Sequence, residues 1–512
     1  MASATQPTLA QTLDTLLQQD DPVAVGITLQ QLAPLAAADP RTLLDWVDQF
    51  ADPLSQQDPA MIAAIIRLTH AAVMGSARPG DGTWPVEPIA RWISLLPMGC
   101  ANRHLLLQLL AAHGSPAAVQ GLVILLAEDP PEAWLEAAQV LSPLMQYDHW
   151  PANMLFPQAI DLIAHPSLAA PLLDLASDLF RRREVRPHPL VDQAAMLHRL
   201  LGEVTMRLER FEEDPRSFGD DVEQVGQRLG AAVALAVSLC DNIGLIGDKA
   251  GIGKLNQTVQ LKHRRVQCEA AGALASLGEA LGRERLIELS KDPAARLRAI
   301  AYADELGFGE KIDDGLRTRE STAEAEMAIW LSQPSQMGVP PTRLETIHSR
   351  TLSWPGFEAP VDVHLVHFEY NFGDRTYSNV GMTGPATFAM SIDVADLPPD
   401  DAFAIYAGWH AEHDEIFTVP ADVFNAAQTQ LARTIAGTLE KDGYASLRPQ
   451  LLGVFLDEAA VVFEGEKDDK QVLVISDAIE TIDAPTLGRA RPLTAESIFD
   501  LYKGRKILRT FN

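Results

Sequence analysis

The densest set of potential metal ligands in the chain is His410-Ala-Glu-His413, followed at once by Asp414 and Glu415. On a helix, residues three apart share a face, so His410 and His413 could both reach one ion. The spacing differs from that of zinc proteases, which place two histidines four apart with a glutamate after the first. A third ligand would have to come from elsewhere, and His364 and His367 are the candidates. The competing reading of the pair is an exposed polar helix face that ends in charge. Trp409, beside it, reads as the anchor of that helix on a sheet.

Other chemistry is thinner. His364 and His367 lie in a strand-like run at odd spacing, so they point to opposite faces and cannot form one site unaided. No Gly-x-Ser-x-Gly elbow is present. Cys100 and His104 have the spacing of one helix face, whereas Cys268 and His263 do not. Catalytic cysteine–histidine pairs are usually distant in sequence, so Cys100 reads as a thiol under a helix-face histidine. Residues 248–255 contain Gly253-Lys254, but Asp248 stands where a phosphate-binding loop needs glycine and Leu255 where it needs serine or threonine. A turn between helices explains those glycines better.

The elements that must position these residues change character along the chain. From Val23 onward, apolar residues recur at helical spacing. Asp58-Pro59 and Ser115-Pro116 open helices, the polar side chain capping and the proline taking the first helical position. Residues 75–84 form a polar loop, and 147–157 are irregular. Long helices are expected at 191–213 and 222–240, joined by an acidic stretch from Glu212 to Asp221 that reads as a solvated loop. Ser321 and Glu324 form a capping-box pattern that opens a last helix ending at Leu331. Residues 333–341, with three prolines and a glycine, mark the domain boundary.

Beyond Pro341 the helical period gives way to runs rich in β-branched and aromatic residues. Strands are expected at 361–372, 375–382 and 386–394, with Gly373-Asp374 as the first turn. Helices follow at 402–415 and 421–440, then strands at 452–455, 460–463 and 471–476, with a charged turn at 464–470. The chain closes on a helix at 495–508, tipped by Lys503, Arg505, Lys506 and Arg509. Tyr370, Tyr377, Trp354 and Phe357 are read mainly as core.

One pattern recurs. Gly247 and Leu255 fall on Gly278 and Leu286, about 31 residues on, and the next Leu-Gly, Leu306-Gly307, comes about 29 residues later. Glycine there suits a helix end, because it tolerates the left-handed conformation just past the last turn. Ala270, Ala271, Ala273 and Ala275 let two helices approach closely. Arg264, Arg265, Arg296 and Arg298 stand at helix starts, where they could pair with acids of the preceding repeat. At Arg264 to Gly278 and Ala295 to Gly307 the chain resembles HEAT-repeat proteins, in particular the phycobilin-lyase-type HEAT-like repeat. The resemblance implies an armadillo-like α-solenoid, a scaffold that also serves enzyme chaperones, bilin lyases and some DNA-repair enzymes.

The expected architecture is therefore mainly α: a HEAT-like solenoid over residues 1–335, clearest at 244–307, followed by a smaller α+β domain over 343–512. The composition, 47% hydrophobic and 21% charged, is that of a globular chain. A net charge of −28 repels phosphate backbones and anionic bilayers, so neither nucleic acid nor membrane is expected as a partner. The same charge steers a basic protein towards the surface. A HEAT-type DNA glycosylase is disfavoured for that reason. The three scattered cysteines, Cys100, Cys240 and Cys268, suit free thiols in a reducing compartment. No signal peptide or membrane span is read, and the cytoplasm is expected. The leading function is a non-enzymatic protein-binding scaffold or adaptor. Two alternatives stand beside it: an enzyme with a site, metal-dependent or not, in the C-terminal domain, and a bilin lyase or chaperone. No cofactor is expected other than a metal at His410 and His413.

Overall fold

A computed structural model describes residues 8–19, 22–76, 84–146, 150–182, 185–333, 335–486 and 491–512. Most of the loop expected at 75–84 and the start of the irregular stretch at 147–157 lie outside the described residues. The chain divides into two compact units, Met1–Leu286 and Ile287–Asn512. The change from helix to strand comes later than this division, between the helix Arg319–Leu331 and the strand Arg343–Leu352.

Among its described residues the first unit has helices and no strand. Its helices pack in a skip-one pattern. Pro22–Ala38, Pro59–Ser76, Arg103–His113, Trp134–Gln146, Pro166–Arg181, Val222–Ile246 and Arg264–Ser276 form a row in which each packs on the next. Helices between them pair likewise: Pro40–Ser55 with Glu87–Leu95, Pro116–Glu128 with Ala152–Ala159, and Ala194–Glu213 with Ile252–Thr258. Local sequence sets the boundaries. Asp58 accepts a hydrogen bond from the Ala60 amide at 2.9 Å, and Ser115 from Ala118 at 3.3 Å. Gly247 and Gly278 take positive φ, 78° and 90°, and end their helices as the Leu-Gly spacing predicts. The Glu279 amide reaches back to the Leu274 carbonyl, which closes the last turn.

The small residues act as spacers. A Cβ on Gly244 would lie 3.1 Å from the Ala273 Cα, and one on Gly282 would overlap the backbone of Ala271 and Ala275. The helices on both sides of Arg264–Ser276 thus approach through its alanine face. Cys240 and Cys268 are buried on this row, neither of them in a disulfide. The helix Val222–Ile246 is long and apolar enough to cross a membrane, yet half of its most apolar stretch is buried inside the protein.

The second unit begins with helices and becomes layered. Arg296, buried on the helix Pro293–Glu305, donates to the Ser321 carbonyl at 2.7 Å and sits 3.4 Å from Glu324. It therefore pairs with an acid that follows it, not with one of the preceding repeat. Glu324 also accepts from the Thr346 amide at 3.2 Å, so its carboxylate is not a helix cap. The cap is Thr318, and the helix opens at Arg319.

Two antiparallel sheets follow. The first holds β1 (Arg343–Leu352), β2 (Val361–Phe372) and β3 (Arg375–Thr383) in that order. The second holds β4 (Ile416–Pro420), β5 (Ala445–Phe455), β6 (Glu458–Lys467), β7 (Lys470–Ser476) and β8 (Thr481–Pro485), each paired with the next. One face of the first sheet, with Val366, Phe368 and Tyr370, covers Ala323, Met327 and Leu331. Its other face, through Val363, Leu365 and Met382, shares a core with Phe403 and Tyr406 of the helix Pro399–His410 and Phe499 and Tyr502 of the helix Ala495–Phe511. The same core takes in Leu451, Val462 and Ile475 of the second sheet. The far face of that sheet, with Leu452, Val461 and Val474, buries Ile435 and Leu439 of the helix Ala426–Lys441. Helix and sheet layers alternate, five deep.

The two central helices cross through glycine. A Cβ on Gly504 would overlap the Ala404 carbonyl, and one on Gly408 the Asp500 carbonyl. Gly453 likewise gives way to the Phe499 ring.

Several expectations need correction. Residues 386–394 form no strand beyond an isolated bridge between Met382 and Phe388. The buried Asn379 takes the place of a ladder there: its amide donates to the carbonyls of Met390 and Ile392 at 3.0 and 2.9 Å and accepts from Val394 at 3.2 Å. The strands β1, β4 and β8 escape the sequence pattern: all are edge strands, β1 and β4 have no fully buried residue, and β8 alternates over only five residues. The helix expected at 402–415 ends at His410, where Ala411 turns extended.

Candidate interaction surface

That early helix end decides the geometry of the histidine pair. His410 is the last helical residue and His413 lies beyond it, so they do not share a helix face. His410 Nδ1 accepts from the Trp354 indole at 2.9 Å, and its ring packs edge-on to Trp354 and Phe357. His413 Nδ1 accepts from the Glu415 amide at 3.2 Å, which fixes the turn into β4. Among the described residues no three histidine, cysteine or acidic side chains converge as a metal would require. Trp409 stacks on Phe388 at 4.1 Å and 4°, which ties the helix to the segment bridged to β3.

The other sequence candidates are also accounted for by packing. His364 is buried and bonds Ser349 Oγ at 2.8 Å, and its burial lowers its pKa. His367, on the opposite face of β2, sits 3.9 Å from Glu369. Asp248 caps the short turn Lys249–Gly251, and the helix Ile252–Thr258 follows, so residues 248–255 are a helix junction. Tyr370 and Trp354 are core, whereas Phe357 is 44% exposed.

Cys100 precedes the helix Arg103–His113, so the same-face spacing with His104 does not hold. Its thiol donates to the Ala101 carbonyl, and burial pushes its pKa up rather than down. It lines a cleft of about 200 Å³ with Arg103, His104, Asp129 and Glu136. Arg103 there is bound to the Asp129 carbonyl at 2.8 Å, and His104 is 3.5 Å from Glu136. A thiol raised in this way is a poor nucleophile.

A polar surface that the sequence did not single out lies along the row of helices in the first unit. His70 bonds Gln108 at 2.8 Å, and Gln108 in turn meets Gln139 at 3.4 Å and Ser142 at 3.5 Å. These residues come from three successive helices of the row. Further along, Asp174 bonds Ser238, with Asp241, Arg265 and Glu269 in its electrostatic range. Asp174 remains exposed to solvent, yet its carboxyl is raised above the usual range. The protein crowded around it is the main cause, and Asp241 and Glu269 add to it against Ser238 and Arg265. Arg181 pairs with Asp241 at 2.8 Å.

Two fully buried polar groups lie in the packing beneath. Ser177 Oγ and Asn242 Oδ1 have no hydrogen-bond partner, while Asn242 Nδ2 donates to the Leu173 carbonyl at 3.0 Å. Ser177 and Asp174 are three apart on one helix, as are Ser238 and Asp241 on its neighbour, which is why they meet. The signal available in sequence was an acid or amide interrupting an otherwise apolar helix. Compared with known protein families, curated proteins and solved structures, the chain has no match.

Proposed function

We propose that this chain is a non-enzymatic scaffold whose first unit is a HEAT-like α-solenoid that receives a basic partner protein. One observation carries the reading: exposed Asp174 on a row of stacked helices, with Asp241 and the buried Glu269 in its electrostatic range. A lysine or arginine that reaches Asp174 would meet a carboxylate that gains more from a cation than an isolated surface acid does. The net charge of −28 adds long-range steering of such a partner. The skip-one packing is what stacked helical hairpins produce, and this supports the solenoid reading. The buried thiols suit a reducing compartment, in keeping with the cytoplasm.

Affinity purification of the intact chain from the cells that make it, read by mass spectrometry, tests the proposal. One basic protein enriched in proportion to the bait, and released by raised salt, is the expected result. Nothing above background would overturn it.

A further inference from the structure

In the second unit the outer edge of β4 is unpaired among the described residues. β4 is hydrogen-bonded to β5 alone, and Phe417 to Pro420 bond no other element among the described residues. Edge strands are normally blunted by charge. β1 carries Arg343, Glu345 and Arg350, β3 carries Arg375, and β8 carries Asp483. β4, Ile-Phe-Thr-Val-Pro, carries none. Its shortness and Pro420 limit any added pairing to about four residues, or roughly 13 Å of chain.

The side chains along this edge are arranged to receive a strand. Phe417 stands opposite Val454 and is 51% exposed; Val419 stands opposite Leu452 on the same face. Val423 and Leu456, both exposed, extend the apolar margin at either end of the strand. Beyond them the flanks are acidic. Glu412, Asp414 and Glu415 precede the strand and Asp422 follows it; all are exposed, with no ion pair among the described residues.

We propose that the β4 edge binds an extended segment of a partner protein by strand addition, apolar at alternate positions and flanked by lysine or arginine. Backbone hydrogen bonds to β4 supply the register, Phe417 and Val419 select apolar side chains, and the acidic flanks select basic ends. A second copy of this chain fits poorly. Antiparallel self-pairing sets Asp414 and Glu415 against Asp422, and parallel pairing sets the acidic triplets side by side. The inference goes beyond the scaffold reading and rests on nothing in the first unit.

Hydrogen exchange of the full chain tests it with three synthetic peptides. One alternates valine and threonine between paired lysines, the second replaces the lysines by glutamates, and the third carries a central proline. Protection of amides in 416–420 by the lysine-flanked peptide alone is expected, with affinity falling at least tenfold in Phe417→Lys and several-fold in Glu415→Gln. Both positions are exposed, so both variants fold, and unchanged exchange elsewhere verifies that. The idea is overturned if 416–420 gain no protection, if the glutamate-flanked peptide protects them equally, or if the free chain already self-associates through this strand.

Discussion

The two units treat polar and charged side chains differently. In the second, the basic residues of the last helix are consumed by structure. Arg505 grips Asp401 with two hydrogen bonds of 2.7 and 2.8 Å, Lys506 bridges Asp477 and Glu458, and Arg509 pairs with Glu480. The basic tip expected on the last helix is thus neutralised within its own unit. In the first, Asp174 is exposed to solvent, and Ser177, His188, His198 and Asn242 each keep a buried polar atom without a hydrogen-bond partner. In the second, Thr383 is the one such case among the described residues. Buried polar groups are normally satisfied, and the first unit departs from that rule more often than the second. The packing devices differ too: alanine faces between stacked helices in one unit, and a glycine crossing enclosed by sheets in the other.

The largest expected effect falls on that crossing. Gly504→Val should cost upwards of about 3 kcal/mol, because the helices cannot separate without opening the core on both sides. Gly437→Ala, on a helix of the same unit with open space around it, should instead stabilise by roughly 0.5–1 kcal/mol. Urea unfolding of the two variants checks the pair.

The units should also fail in acid at different pH. Burial pushes His188 down to about 4, against the pull of Asp241 and with help from Arg186 and Arg181. Its neutral form is the one the fold accepts. The associated stability is complete above pH ~6.5 and lost as pH falls from there towards 4, by about 3 kcal/mol. His188→Gln should flatten that slope.

Asp477 behaves oppositely. Burial alone would raise its pKa, but hydrogen bonds from Lys506, Tyr502 and the Glu480 and Ile479 amides hold it well below the carboxylate range. Its contribution is present above pH ~4 and fades only below. Asp477→Asn should cost roughly 1–3 kcal/mol at neutral pH and progressively less in acid. Hydrogen exchange along a pH series separates the units: residues 185–246 should loosen first and residues 445–511 later. Loosening in the reverse order would break the comparison.

The smallest stability effect is expected at Asp174. The Asp174 carboxyl is raised, so its ionised form is a mild liability to the fold at neutral pH. Asp174→Asn should leave the unfolding midpoint unchanged or stabilise by less than about 1 kcal/mol, while weakening capture of the basic partner.

Much of the architecture was legible because it rests on local chemistry. Leu277-Gly278 and Leu306-Gly307 end helices at positive φ, as their glycines require. Ser115-Pro116 starts one, and Gly373-Asp374 turns between β2 and β3. What could not be read depends on contacts distant in sequence. Asn379 replaces a ladder for residues 390–394 through its side chain, and no periodicity announces that. The shared helix face expected for His410 and His413 assumed a helix through residue 415, whereas the chain leaves it at His410 to form β4. The grouping around Asp174 was invisible for a similar reason: Asp174 and Ser238 are far apart in the chain and meet only when alternate helices stack.

The most direct test of the central claim compares wild type with Asp174→Lys in affinity capture from the cells that make the protein, with cross-links mapped by mass spectrometry. The scaffold reading predicts one basic partner on the wild type, cross-linked near residues 174–182 and 238–269, and lost from the variant while its unfolding midpoint holds. Equal capture by both chains, or cross-links confined to other surfaces, would contradict it.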